Sequence, residues 1–203
     1  MIETKMISRY EPSSNFREVF AKIMGVTATQ KSHDLILKSL WVETPLGPMI
    51  AVADEKALYL LEFIDYHRLE REMKRLRETT KSTIILGTTE PLLSIQAELT
   101  AYFAGKLQHF KTPLHLLGSS FQKSVWEALK NIPHGETRSY QEIARAIGKP
   151  TAFRATALAN AANQIAIVIP CHRVIQSNGK LGGYAGGITR KEWLISHEKL
   201  RKK

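Results

Sequence analysis

Cysteine occurs once in this chain, at Cys171, and a histidine follows it directly. The surrounding stretch reads Ile167-Val168-Ile169-Pro170-Cys171-His172-Arg173-Val174-Ile175, an apolar run that delivers a proline, a thiol and an imidazole. A thiol attacks as its thiolate, and with an ordinary pKa near 8.5 only a few per cent is ionised at neutral pH. A nucleophilic Cys171 therefore needs a base or a cation beside it. His172 is adjacent in sequence, so its ring reaches the sulfur only through a water or a bend of the backbone. Glu198 lies four residues after Leu194 and three after Ile195, which puts it on an apolar helical face. A carboxylate there needs a partner to remain ionised, and His172 would supply one, completing a chain of nucleophile, base and orienter. Such a pairing would favour the imidazolium, and that cation the thiolate. Alone, the residues leave two plainer readings open: Cys171 as an inert small hydrophobe, and Glu198 as a surface residue near the chain end.

The elements that must position these groups fall into two parts. With 203 residues, the chain has room for one large domain or two small ones. Residues 35–63 alternate apolar runs with the turns Thr44-Pro45-Leu46-Gly47 and Asp54-Glu55-Lys56, which predicts a three-stranded meander. A helix over 66–78 (Leu69, Met73, Leu76), a strand at 82–86 and a helix over 90–104 (Leu92, Leu93, Ile95, Leu99, Phe103) complete a small α/β domain spanning 35–112. Nothing in it looks catalytic. The second part, 119–203, is mainly helical. Phe121, Val125, Leu129 and Ile132 form a core-facing stripe, and Pro133 ends that helix. A short helix (139–147), the turn Gly148-Lys149-Pro150 and a second helix (151–162) make a helix-turn-helix pattern, which many helical hairpins share. The second helix is rich in alanine and carries one long basic side chain, Arg154. Such a small-faced helix suits close approach to another surface or tight helix packing. Thr189-Arg190-Lys191-Glu192 reads as a capping box opening the terminal helix.

Charge divides the same way. Residues 1–120 hold 15 Lys and Arg against 14 Asp and Glu, whereas residues 121–203 hold 14 against 5. A basic half suits a polyanion, nucleic acid above all, or is a solvated basic surface. No apolar run is long enough to span a membrane, the N-terminus lacks the apolar stretch of a secretory signal, and one cysteine excludes an internal disulfide. A monomeric, cytoplasmic protein is expected.

PCHRV, preceded by Asn163 and followed by GGYAGG (182–187), resembles the active-site signature of the O6-alkylguanine-DNA alkyltransferases, the methylated-DNA–protein-cysteine methyltransferases. The resemblance covers about 35–200 and includes TPLG, FQKSVWEALKNIPHGETRSYQEIA and RKEWLISHE. It implies a ribonuclease-H-like α/β domain packed on a helical domain with a winged helix-turn-helix. The implied activity is a single, irreversible transfer of an alkyl group from O6-alkylguanine, and from O4-alkylthymine, in duplex DNA. By the same resemblance Cys171 is the acceptor. His172 takes its proton through a water, Glu198 holds the imidazole, Asn163 braces the loop, and Tyr140 donates toward the departing guanine. Arg154 fills the gap left by the flipped nucleotide, with Thr151, Ala155 and Ser139 also facing DNA. Val174, Tyr184, Ala185 and Gly186 wall the base pocket, and Ala185 stands where some members carry Ser or Arg. The zinc site of some animal members needs cysteines absent here, so neither metal nor cofactor is expected. Physical chemistry agrees, because the damaged oxygen lies inside the stacked duplex and the base must be flipped out to react.

Residues 1–30 lie outside that resemblance. RYEPSSNFREVFAKIMGVTAT resembles the closing segment of an AraC-type helix-turn-helix, as in adaptive-response proteins, and Phe16, Val19, Phe20 and Ile23 equally suit a helix docked on the domain. Two functions of other classes compete with the alkyltransferase: a DNA-binding regulator without chemistry, and a thiol hydrolase with true turnover. The paired Cys171 and His172 argue against the first, and the basic half against the second.

Overall fold

The computed structural model describes residues 35–65 and 67–200, so the N-terminal segment lies outside the described residues. Strands β1 (Leu35–Val42), β2 (Met49–Ala53) and β3 (Leu58–Phe63) form the expected antiparallel meander. Each turn has a local cause. Gly47 adopts φ 103° and its N–H donates to Thr44 O, while Asp54 Oδ1 accepts from the N–H groups of Lys56 and Ala57. Helix α1 (Leu69–Thr80) carries the chain across the sheet, so β4 (Ser82–Leu86) adds parallel to β1. The sheet is therefore four-stranded and mixed, in the order β3-β2-β1-β4.

Helices cover both faces, which is why the strands read as nearly continuous apolar runs. Leu69, Met73 and Leu76 of α1 pack with Leu37, Ile50, Val52, Leu60 and Ile84. Helix α2 (Glu90–Phe103), capped by Thr89, covers the other face with Leu92, Ile95, Leu99 and Tyr102. The predicted stripe is corrected here. Leu93 is 52% exposed, and Tyr102 occupies the core position three residues after Leu99.

In the second domain, α3 (Ser120–Lys130) and α4 (Tyr140–Ala146) each start from a capping box, Ser119 with Gln122 and Ser139 with Glu142. Helix α5 (Phe153–Ala161) is shorter than the spacing predicts, because residues 149–152 close a turn through Ala152 N–H and Lys149 O. Thr151 thus lies in the turn. After the 3₁₀ turn Cys171–Arg173, β6 (Val174–Ile175) pairs with β5 (Arg138–Ser139) in a two-residue parallel ladder. Helix α6 (Ile188–Lys199) starts one residue before the expected cap. Gly187, at φ 90°, ends the preceding loop, so Thr189 falls within the first turn and caps nothing.

The two domains share one core, in which Phe63, Leu99 and Tyr102 pack with Val125, Leu129, Cys171 and Leu194. The outer edge of β3 is completed from both sides of the junction. Leu58 exchanges hydrogen bonds with Pro113 and His115, and Leu61 with Gln164 and Ala166. Arg190 of α6 clamps the joint with a bidentate pair to Asp65, a bond to Leu46 O, and its guanidinium 4.1 Å above the Phe63 ring.

Two stability effects follow. A Cβ at Gly118 would lie 2.6 Å from the ring of buried Trp126, so Gly118→Ala should cost roughly 1–3 kcal/mol by overpacking, read from a urea midpoint. Glu62 is buried in β3, and burial raises its pKa from about 4.5 to about 8. The folded state therefore holds this proton where the unfolded chain has released it, and stability falls as pH rises from about 4.5 to about 8. Glu62→Gln should gain little at pH 5 and roughly 2–4 kcal/mol at pH 8, and a gain that does not vary with pH would refute the assignment.

Candidate active site

The segment leading to the nucleophile is folded back on itself. Ile167, a β-branched residue, sits at φ 70°, and Cys171 N–H donates to Ile169 O two residues earlier. A left-handed conformation disfavours such a side chain, so its surroundings must hold it there. Asn163 provides much of that hold. Its Nδ2 donates to Ile169 O at 2.9 Å and Ile165 O at 3.3 Å, its Oδ1 accepts from Ile165 N–H, and Nδ2 also lies 3.0 Å from Cys171 Sγ. One amide thus braces the loop and donates to the thiol.

Behind the thiol, Glu198 is 1% exposed and meets His172 Nε2 at 2.8 Å through Oε1. Ring tautomers follow from the partners they meet, and an ionised Glu198 fixes the proton on Nε2. Nδ1 is buried and has no hydrogen-bond partner among the described residues. Nor does any direct hydrogen bond join the His172 ring to Sγ, as expected for neighbours in sequence. Glu198 accepts more than the sequence revealed. Arg173 donates through Nε to Oε2 at 2.8 Å and through Nη2 to Oε1 at 3.0 Å, Gly135 N–H donates to Oε2, and Tyr102 Oη–H donates to Oε1 at 2.8 Å. Burial pushes this carboxyl up, but the bonds and charges of His172 and Arg173 outweigh it and hold it well below the usual range.

The charge states differ from those expected. Burial lowers the His172 pKa, and the pull of Glu198 does not recover it. Burial raises Cys171 to about 11 against the Asn163 hydrogen bond. The resting pair is thus a neutral imidazole and a thiol, not imidazolium and thiolate. Burial of the ring accounts for most of the difference, and the Arg173 charge, which shares Glu198 with His172, adds to it. Fully buried Lys191 stands near the sulfur, donates to Val174 O at 2.5 Å, and is lowered by burial to about 8.

Cys171 opens on a pocket of about 560 Å³ whose lining includes Tyr140, Asn163, Tyr184 and Ala185 with Arg154 at its α5 side. Burial raises the hydroxyl pKa of both Tyr140 and Tyr184. Val174 and Gly186 do not line this pocket. Val174 reaches the site through the carbonyl held by Lys191, and Gly186 packs so closely that a Cβ would lie 2.8 Å from Phe63 and 2.9 Å from Tyr184. Thr151, Arg154 and Ala155 are exposed on the α5 side, together with the apolar Phe153 and Leu158. Ser139 accepts from Glu142 N–H as the cap of α4. Sequence reasoning missed Arg173, Lys191 and Tyr102. Of these only Tyr102 carried a signal, its place on the Ile95-Leu99 stripe.

Known proteins resemble this chain in sequence and in fold. Residues 37–116 match the ribonuclease-like domain of 6-O-methylguanine DNA methyltransferase, and residues 120–200 match its DNA-binding domain. The methylated-DNA–protein-cysteine methyltransferase of Methanosarcina barkeri is 46% identical over 77% of this chain and 94% of its own length. That of Mycobacterium tuberculosis is 44% identical over 79% and 91%. The crystal structure of the Mycobacterium tuberculosis O6-methylguanine methyltransferase superposes with a TM-score of 0.69 at 41% identity, covering 82% of this chain and 95% of that one. The same protein in complex with DNA gives 0.68, covering 82% and 94%. With both domain models matched in order and relatives at this identity over nearly their whole length, the chain belongs to the methylated-DNA–protein-cysteine methyltransferase family.

Proposed function

We propose that this protein repairs DNA by moving the alkyl group of O6-alkylguanine to Cys171, once per molecule. The observation that carries the reading is the chain's one cysteine at a pocket roomy enough for a flipped base, with Asn163 donating to its sulfur and the His172–Glu198 pair behind it. In the transfer an S–C bond forms at Sγ as the alkyl C–O6 bond breaks. The thiol proton passes to His172 Nδ1 through a water, and Glu198 stabilises the imidazolium that forms. Tyr140, beside the pocket, gives its hydroxyl proton toward the leaving base, so that guanine departs neutral. The O4 ether of alkylthymine offers the same chemistry. The thioether has no good leaving group, so Cys171 is not regenerated.

The base reaches the pocket by leaving the duplex. Arg154 lies at the pocket's α5 side, where its side chain can enter the stack as the nucleotide leaves. Phe153 and Leu158 flank it as apolar contacts for a widened minor groove, and the basic second domain binds phosphates without reading sequence. Residues 1–30 fall outside both matched domains and the described residues, and their likeness to the end of an AraC-type module supports no more than kinship with adaptive-response proteins.

Incubation with a duplex carrying O6-methylguanine should add one methyl group per chain, located on Cys171 by peptide mass analysis. Repeated turnover, or transfer by Cys171→Ser, would end this reading. Arg154→Ala should slow repair of the duplex while leaving reaction with free O6-benzylguanine near the parent rate, since a free base needs no flipping. Equal slowing of both would remove Arg154 from the flipping step.

A further inference from the structure

The first domain contributes a hydroxyl to the reaction relay. Tyr102 lies on α2, 96 residues before Glu198, and is 1% exposed, yet its Oη donates to Oε1 at 2.8 Å. This is the oxygen that faces His172 Nε2 at 2.8 Å. Tyr102 and Nε2–H therefore compete for one oxygen's electron density, with Arg173 Nη2 as a third donor at 3.0 Å. The tyrosine ring is fixed independently of this bond. It packs edge-on to Phe103 and His134 and tilted against Phe110, and its backbone carbonyl meets His197 Nε2 at 3.0 Å. Its hydroxyl is thus aimed by the domain junction.

We propose that Tyr102 is a positioning residue for alkyl transfer, whose hydrogen bond to Glu198 Oε1 limits how strongly that carboxylate draws a proton onto His172. The relay must accept the Cys171 proton during transfer, which requires a neutral imidazole beforehand. A carboxylate left to His172 alone would favour the imidazolium and leave no site for that proton. The donor from α2 keeps Oε1 partly satisfied, so the imidazole is oriented without being charged in advance. The other titratable groups facing the pair are Arg173 beside it, Lys191 and His197 on α6, His134 in the turn after α3, and Tyr184 across the pocket. Arg173 and Lys191 disfavour the imidazolium as Tyr102 does, but both are cations whose removal would strip a charge from the core. Tyr102 is neutral, its phenol pKa raised well above 10 by burial and by Glu198, so removing its hydroxyl changes one hydrogen bond and no charge.

The inference rests on the relay described under Proposed function, and the test separates the two. Imidazole ¹⁵N shifts of His172 are titrated in unreacted parent protein and in Tyr102→Phe, and the single-turnover methyl-transfer rate is measured across the same pH range. Tyr102→Phe should raise the His172 pKa by roughly half a unit to one unit, about three- to tenfold in its protonation equilibrium. The acid limb of the rate profile should move up with it while the rate at high pH returns to the parent value. An unchanged His172 titration, or a rate lowered evenly at every pH, would overturn the role of Tyr102. A shifted titration with an unshifted rate profile would overturn His172 as the proton acceptor instead. If Tyr102→Phe folds poorly, 3,5-difluorotyrosine placed at 102 keeps the ring and strengthens the donor. The His172 pKa must then fall, and a rise or no change would count against the proposal.

Discussion

A buried carboxylate organises this protein. Desolvating an ion costs several kcal/mol unless hydrogen bonds and opposite charge restore what water supplied, and Glu198 is supplied from four directions. His172 and Arg173 reach it from the 3₁₀ turn, Gly135 from the turn after α3, and Tyr102 from the other domain. Each donor is thereby fixed to the others through one group. The imidazole tautomer follows from this one side chain, which also ties together the active-site turn braced by Asn163 and the domain junction built on the shared core.

The same burial tunes reactivity toward selectivity. A thiol raised to about 11 is almost wholly protonated at neutral pH. A protein that reacts once cannot afford an exposed thiolate, which any stray electrophile would consume. In the proposed mechanism ionisation is instead tied to His172, an imidazole that burial keeps neutral. Asn163 donates to the sulfur, and Lys191 lies close enough to favour negative charge there, so the anion is stabilised as it forms rather than held in advance.

Much of this was legible beforehand, because it depends on local pattern. The three strands of the meander appear where the apolar runs put them, the turns fall at Gly47 and Asp54, and the α1 stripe of Leu69, Met73 and Leu76 follows its helical spacing. Glu198 was found by its spacing from Leu194 and Ile195. What the sequence could not show depends on contacts between distant segments. The imidazole was expected charged and is neutral because the fold buries the ring completely and, to a lesser degree, places Arg173 against the same carboxylate, and neither can be read from neighbours in sequence. Phe103 was taken in place of its neighbour Tyr102, and Leu93 counted as core, because the packing of α2 on the sheet and on the second domain, which buries Tyr102 and leaves Leu93 exposed, cannot be read from the helix alone. Gly187 in place of Thr189 as the start of α6 reflects a glycine loop whose left-handed turn overrides the capping preference.

The completed edge of β3 bears on how the protein comes into being. Leu61 hydrogen-bonds Gln164 and Ala166, residues supplied by the second domain just before the reactive turn. Contacts this distant along the chain close large loops, and their entropy must be overcome before they return any stabilisation, so they form late in folding. During synthesis the first domain leaves the ribosome with that edge unpaired, a transient site for aggregation until the rest of the chain arrives. The nucleophile is assembled by the same late event. A nascent or half-folded molecule carries a cysteine with no relay around it, and competence for repair appears together with the closed junction.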